Sequence, residues 1–219
     1  MQNNLTFTNG TNLRIGTIYG IGKNYSKHAR EMGGEVPKDP VVFIKPAASY
    51  VEDGGKIIIP DISKSVHHEV ELVVVISKEC VNVKSEDAHE YIAGYAVGID
   101  ATLRDVQSKA KAAGLPWATA KGFVTSAPIS KVVPAEEIGN KEPLFSLLLS
   151  INGELRQKGN TADMERSVGK LIEYLSEIFT LQSGDCIFTG TPEGVGQLNK
   201  GDNVRAELVD QVSLEIIIE

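Results

Sequence analysis

The sequence predicts an α+β protein in which strands outnumber helices and the sheets are mixed or antiparallel. Three observations carry this. Short apolar, β-branched runs recur along the chain, among them PVVFIKP (40–46), EVELVVVI (69–76) and VSLEIII (212–218). These runs are not regularly interleaved with helical segments, which argues against a doubly wound parallel sheet. The stretch LFSLLLSINGELRQKG places Asn152 and Gly153 between two strand-like runs, the residue pair of a two-residue β-hairpin turn.

Taken in order, residues 13–21 (LRIGTIYGI) read as a strand. NYSKHAREMG reads as a short helix, with Asn24 or Ser26 as its cap and Gly33 as its stop. PVVFIKP is a buried strand bracketed by prolines, and IIIP and EVELVVVI are further strands. SEDAHEYIAG starts as a helix and runs into a strand that ends at Asp100. ATLRDVQSKAKAAG has helical composition and a glycine stop. In ERSVGKLIEYLSEIF, Val168, Leu171, Ile172, Leu175 and Ile178 fall at helical spacing and mark an amphipathic helix. CIFTG, NVRAELV and VSLEIII close the chain as strands. No internal repeat or low-complexity segment is visible. The expected organisation is one catalytic domain over residues 1–219, with 1–15 a short extension or strand and 22–35 a lid segment.

A chain of 219 residues can bury a core without staples. Its net charge of −7, with no basic stretch, speaks against a nucleic-acid partner. No apolar run approaches the length of a membrane span. The opening MQNNLTFTNG has no signal or transit pattern, so a cytoplasmic location is expected. Cys80 and Cys186 stand far apart without metal-ligand spacing and read as reduced, structural thiols.

The chemistry centres on three carboxylates. Glu69 and Glu71 are two apart in a strand-like run, so they share a face. Asp100 ends a second such run, IAGYAVGI. An E-x-E in a strand also fits a solvated polar face, and the alternation with Val70 and Leu72 agrees with that reading. The run that follows, Val73 to Ile76, is apolar on both faces, so the acids lie where the chain enters the core. Buried anions require partners, and carboxylates without a nearby cysteine suit a hard cation such as Mg²⁺ or Mn²⁺.

Other residues are candidates for acid–base and anion chemistry. His28 and Glu31 are three apart on the short helix, as in a carboxylate-oriented general base; scattered surface charge, with Lys27 and Arg30 alongside, is the competing reading. Gly20, Gly22, Gly33 and Gly34 around them are hinge-like. Arg104, Asp105 and Gln107 open the helix after Asp100, where Arg104 can clamp a carboxylate or pair with Asp105 or Glu69. Lys121, in LPWATAKGF, either is solvated or stabilises oxyanion charge. FTGTPEGVG (188–196) offers backbone donors after a strand but lacks the ending of a phosphate-binding loop. His67 and His68 face opposite ways in a strand and are assigned supporting roles.

The segments IGKNYSKHAREM, PVVFIKP, HHEVELVVVI, GYAVGIDATLRDVQ, GLPWATAKGF, INGELRQ and FTGTPEGVG, in that order, resemble the fumarylacetoacetate hydrolase family, and in particular its small single-domain acylpyruvase and oxaloacetate decarboxylase-like members. The resemblance runs from about Gly20 to the C-terminus. Any one segment is a weak signal; together, in register, they are highly specific. The resemblance implies a mixed β-roll of several sheet layers and a homodimer. It implies that Glu69, Glu71 and Asp100 bind Mg²⁺ or Mn²⁺, that Lys121 lies beside the cation, and that Arg104, Gln107 and Thr191 contact substrate. It implies that His28 and Glu31 form a dyad on a lid that orders with ligand. The segment ADMERSVGKLI departs from the pattern, which bears on packing or the dimer surface.

The reaction so implied is cleavage of the C–C bond of a 3-acylpyruvate by water, giving a carboxylate and pyruvate through a cation-stabilised pyruvate enolate, with decarboxylation of oxaloacetate through the same enolate as a companion. The alternatives are keto–enol tautomerisation of oxaloacetate or isomerisation of a 2-hydroxyhepta-2,4-diene-1,7-dioate type compound, and, more remotely, non-catalytic binding of a 2-oxo acid.

Overall fold

The run Val70–Ile76 is buried at every position, because it lies inside a six-stranded sheet with a core on each face. The computed structural model of the chain describes residues 4–31, 33, 36–139 and 141–219. The sheet runs in the order Val133–Pro134, Ile92–Ile99, Val70–Ile76, Cys186–Phe188, Ile18–Gly22, Val41–Lys45. All its pairs are antiparallel except Cys186–Phe188 with Ile18–Gly22. Val70, Leu72, Val74 and Ile76 pack into the larger core, while Val73 and Val75 pack into a second core with Leu5, Ile18 and Ile129. A strand buried on both faces has no polar alternation to show, which explains the apolar run Leu72–Ile76 that follows Glu71.

The larger core is closed by a five-stranded sheet ordered Glu154–Asn160, Ser146–Ile151, Asn203–Leu208, Val212–Ile218, Lys56–Ile57. The hairpin in it forms as expected: Asn152 and Gly153 take φ of 53° and 83°, the left-handed pair of a type I′ turn. Helix Val168–Ile178 starts at Ser167, whose Oγ accepts from Lys170 N at 3.4 Å. Leu171, Ile172 and Leu175 are fully buried. Ile178 is not: it is 56% exposed at the helix's last residue, beyond the face that meets the core.

Several boundaries differ from the sequence reading. LRIGTIYGI is two elements, Asn12–Arg14, paired with Asn4–Thr6, and Ile18–Gly22. Between them Gly16 N donates to Gly184 O (2.9 Å) and Thr17 N to Asp185 Oδ1 (2.7 Å), contacts that take the chain out of one sheet before it joins the next. SEDAHEY forms a 3₁₀ helix, Ser85–Tyr91. Helix Ser26–Glu31 is short, and Gly33 at φ 72° returns its N–H to Arg30 O. Asn24 does not serve that helix as a cap; its amide binds Arg166 O, Thr189 O and Arg166 N. Gly34, with Met32 and Glu35 of the lid segment and residues 1–3 of the N-terminal segment, lies outside the described residues. Both cysteines are buried free thiols. No helix among the described residues is long and apolar enough to cross a membrane.

Gly98 pairs with Glu71 across the two central strands. A Cβ there would stand 2.7 Å from the Phe188 ring and 2.7 Å from Val73 Cγ2. Gly98→Ala should therefore cost about 1–3 kcal/mol as overpacking, a fall in Tm of roughly 2–10 °C. Thermal denaturation followed by circular dichroism checks it; an unchanged Tm would mean the ring yields freely.

Candidate active site

Glu69 sits at a break between two strands. Val66–His68 belongs to a small sheet with Thr102–Leu103 and Gly196–Gln197, whereas Val70–Ile76 enters the six-stranded sheet. At the break, Asp100 N donates to Glu69 O at 2.9 Å, while Glu71 lies opposite Gly98, two residues before Asp100. The register thus brings Glu69, Glu71 and Asp100 to one point, with one carboxylate oxygen of each within 4.8 Å of the others. All three are buried, at 5%, 1% and 0% exposure, so the solvated-face reading of the E-x-E is set aside.

Three cations face these acids. Lys121, on the short helix Ala118–Lys121, donates to Glu69 Oε2 (2.8 Å), Thr102 Oγ1 (2.7 Å) and Asp100 Oδ2. Arg104, opening helix Arg104–Ala112, binds Glu69 Oε1 and donates from Nη1 to Gln107 Oε1 at 2.6 Å. The third, Lys45, has its Nζ 2.7 Å from Asp100 Oδ1. The same ammonium donates to the carbonyls of Lys121 (2.6 Å), Ser126 (2.8 Å) and Ala101 (3.3 Å). Asp100 Oδ1 thus shares the Lys45 ammonium with three carbonyls.

The electrostatics divide the acids. Burial pushes the Glu69 carboxyl up, but Lys121 and Arg104 outweigh it and hold the group well below the usual range. Burial, with the charges of Asp100 and Glu69, pushes Glu71 well above it. Its one balancing backbone contact is Gly190 N, 2.7 Å from Oε2. Burial lowers Lys45 despite Asp100, whereas Asp100 and Glu69 raise Lys121 against its own desolvation. Like-charge repulsion of Glu71 by Asp100 and Glu69 is what a cation would relieve. Oxygen donors from three carboxylates fit a hard divalent ion.

His28 lines the same cleft, with its Nδ1 3.2 Å from Glu31 Oε2. Glu31 also accepts from Gly194 N at 3.2 Å. An ionised Glu31 only accepts, so Nδ1 carries the proton and Nε2 is the basic nitrogen. Thr191 lines the cleft too, but its hydroxyl donates to Val70 O (2.8 Å) and accepts from Gln157 Nε2 (2.9 Å). The Thr191 hydroxyl thus has both an acceptor and a donor within the fold, at a position that faces the cleft. His68 bonds Gln157, and His67 bonds Ser65 and is pushed down to about 4 by burial and Arg104; both are supporting. Asp105 turns away from Arg104 to Ser63 Oγ, 2.6 Å, and Lys64 N. The cleft encloses ≈ 40 Å³, room for an ion and water. A larger cavity of ≈ 570 Å³, by Tyr95 and Met164, contains none of these groups.

A family model described as fumarylacetoacetate (FAA) hydrolase C-terminal matches residues 17–218. The chain belongs to the fumarylacetoacetate hydrolase family. Its relatives include the mitochondrial oxaloacetate tautomerase FAHD1 of Arabidopsis thaliana, 47% identical over 199 residues, covering 91% of this chain and 89% of that protein. Oxaloacetate tautomerase YcgM of Escherichia coli (strain K12) is 46% identical over 190 residues, 87% of each chain. Among solved structures, fumarylpyruvate hydrolase from Pseudomonas aeruginosa, in complex with Mn²⁺ and pyruvate, superposes with a TM-score of 0.94 at 35% identity, covering 99% of this chain and 95% of that one. The strand-rich, several-sheet architecture expected from the resemblance is the fold of this family.

Two buried residues at this family fold's acid cluster were missed from the sequence: Lys45 and Gln157. Lys45 left one local signal. It ends an apolar strand, and period two places it beside Phe43 on the buried side while Ile44 is 46% exposed. Lys45→Met would leave Asp100 Oδ1 and the Ala101 carbonyl without the lysine in the interior, and is expected to destabilise by about 3–5 kcal/mol. Urea unfolding measures this; a loss below about 1 kcal/mol would show that Lys45 does not hold Asp100.

Proposed function

We propose that this chain is a divalent-cation-dependent enzyme acting at C3 of a short 2-oxo dicarboxylic acid, with keto–enol tautomerisation of oxaloacetate as its main reaction. The observation that carries the reading is that three buried carboxylates and His28, itself bonded to Glu31, line one narrow cleft. The names of the relatives at 46% and 47% identity support oxaloacetate as substrate.

Glu69, Glu71 and Asp100 would hold Mg²⁺ or Mn²⁺, which when bound supplies a Lewis acid for negative charge on a keto oxygen. Lys121, hydrogen-bonded to Glu69 and Asp100, adds a fixed positive charge for the developing enolate. Arg104, oriented by Glu69 and Gln107, offers its guanidinium edge to a substrate carboxylate. His28 Nε2 carries the proton between C3 and the C2 oxygen, removing it from C3 of the keto form and delivering it to the oxygen of the enol or the reverse, with Glu31 holding the ring's tautomer. The charges favour a dianion. With Glu69, Glu71 and Asp100 all ionised around a divalent ion, Lys45, Lys121 and Arg104 balance the three acids, and the ion leaves an excess of two positive charges. Lys23 and Lys111 line the cleft as well.

Hydrolysis of acylpyruvates is the second reading. The His28–Glu31 pair favours it, because a histidine held by a carboxylate activates water as readily as it moves a carbon-bound proton. Helix Ser26–Glu31 would then act as part of a cover over residues 22–35. A homodimer and a cytoplasmic location belong to the same proposal, and light scattering and cell fractionation test them.

The deciding assay follows enol oxaloacetate with Mg²⁺ or Mn²⁺, against EDTA and protein-free metal controls, with acetate and pyruvate measured in parallel on acetylpyruvate. Enzyme- and metal-dependent exchange without cleavage is expected; acetate release outpacing exchange would move the assignment to the hydrolase. His28→Ala should lower the main rate by about 10²–10⁴-fold and leave the Mn²⁺ affinity near wild type. Lys111→Ala should raise KM for dianionic oxaloacetate about two- to fivefold, as expected of an exposed charge contact, and leave KM for monoanionic acetylpyruvate unchanged.

A further inference from the structure

INGELRQ ends in a residue to which no role has yet been given. Strand Glu154–Asn160 is the edge of the five-stranded sheet, and Gln157 is its one fully buried side chain, at 1% exposure. A buried carboxamide has two acceptor sites and two donors to satisfy. Here all are satisfied. Oε1 accepts from His68 Nδ1 (2.8 Å) and Val70 N (3.1 Å), and Nε2 donates to Thr191 Oγ1 (2.9 Å) and Pro192 O (3.1 Å). The orientation is unambiguous. Val70 N–H can only donate and Pro192 O can only accept, so the amide cannot be turned over, and His68 must carry its proton on Nδ1.

The four partners matter through what lies between them. His68 and Val70 flank Glu69, so one oxygen bridges the strand break from which the Glu69 carboxylate projects. Thr191 relays the other end of the amide back to Val70 O at 2.8 Å. Thr191 and Pro192 belong to the loop that sends Gly190 N to Glu71 Oε2 at 2.7 Å. The strand and loop also touch directly: a Cβ on Gly159 would stand 2.6 Å from Pro192 Cβ. Gln157 itself is absent from the cleft lining.

We infer that Gln157 is a positioning residue for the cation site, setting the geometry of Glu69 through the strand break and of Glu71 through the 190–192 loop. The inference rests on the reading of the three carboxylates as cation ligands. Partners behind metal ligands typically change metal affinity 10–100-fold when removed. Gln157→Met keeps the length of the side chain and removes all four bonds. Gln157→Glu keeps the two acceptor bonds and loses both donor bonds.

The test is Mn²⁺ binding to purified full-length protein by isothermal titration calorimetry, with circular dichroism to establish folding and a separate Tm. Gln157→Met is expected to weaken Mn²⁺ about 10–100-fold, with Gln157→Glu intermediate, and kcat at saturating Mn²⁺ within about threefold of wild type, an effect worth under ~1 kcal/mol. A lowered Tm with an unchanged Mn²⁺ Kd would overturn the inference and leave Gln157 a structural residue. Should Gln157→Met fail to fold, Gln157→Glu decides in the same way. Wild-type protein that binds no Mn²⁺ would instead overturn the cation-site reading, and the inference with it.

Discussion

Three carboxylates buried at the end of a six-stranded sheet are the constraint to which the rest of the structure answers. Each buried charge would cost several kcal/mol if left alone. Lys45, Lys121 and Arg104 offset that cost, and each comes from a different element: the edge strand Val41–Lys45, the short helix Ala118–Lys121 and the start of helix Arg104–Ala112. Asp100 pairs with Lys45 and Lys121, and Glu69 with Arg104 and Lys121, so moving any of these elements would remove one of an acid's two partners. The cluster is thus a cross-brace for the fold as well as a site. The compensation is incomplete at Glu71, which makes no ion pair among the described residues and is repelled by Asp100 and Glu69, and a bound cation would relieve that repulsion.

The backbone around the acids explains how such a cluster can be built from strands. Val70–Ile76 is packed on both faces, so it cannot move without disturbing both cores. Glu71 rides on that strand. Glu69 lies just outside it, in the break, where its carbonyl takes Asp100 N. A continuous strand would also have put Glu69 and Glu71 on one face, but it would not have let Val66–His68 leave for a second sheet carrying Thr102 and Gly196. The break joins the two sheets at the site, and the Gln157 amide joins a third to them. Catalytic groups held by several sheets at once are held more tightly than groups on one loop.

The carboxylate and histidine components play separable parts. The buried acids and lysines form a preorganised electrostatic floor whose dipoles need not rearrange as charge develops. His28 and Glu31 sit on a short helix, with Glu31 partly exposed and tied to the 190–196 loop through Gly194. On the proposed reading, tautomerisation and C–C hydrolysis would use the same floor and differ in what the imidazole's basic nitrogen meets, a carbon-bound proton or a water. One family can therefore include proteins named for each reaction without a change of fold.

Local pattern determined a good deal by itself. The Asn152–Gly153 hairpin, the doubly buried stretch Val73–Ile76, the strand leading to Asp100 and the helical face of Leu171, Ile172 and Leu175 were legible because turn chemistry and side-chain period are properties of neighbouring residues. The acid set and the His28–Glu31 pair were legible as residue types at telling spacings, and the ordered run of segments made the family recognisable. What only the tertiary structure decided are relations between residues far apart in the chain: Lys45 against Asp100, Gln157 bracketing Glu69 from another sheet, Asn24 stapling the 165–166 and 189 segments, and Thr191 giving its proton to Val70 O. Ile178 fell out of the core for the same reason, since a helix's period says which residues align but not where the surface it covers ends. A lysine in an apolar strand or a glutamine in a hairpin has many environments compatible with its local sequence; hydrogen-bond partners chosen across sheets select one.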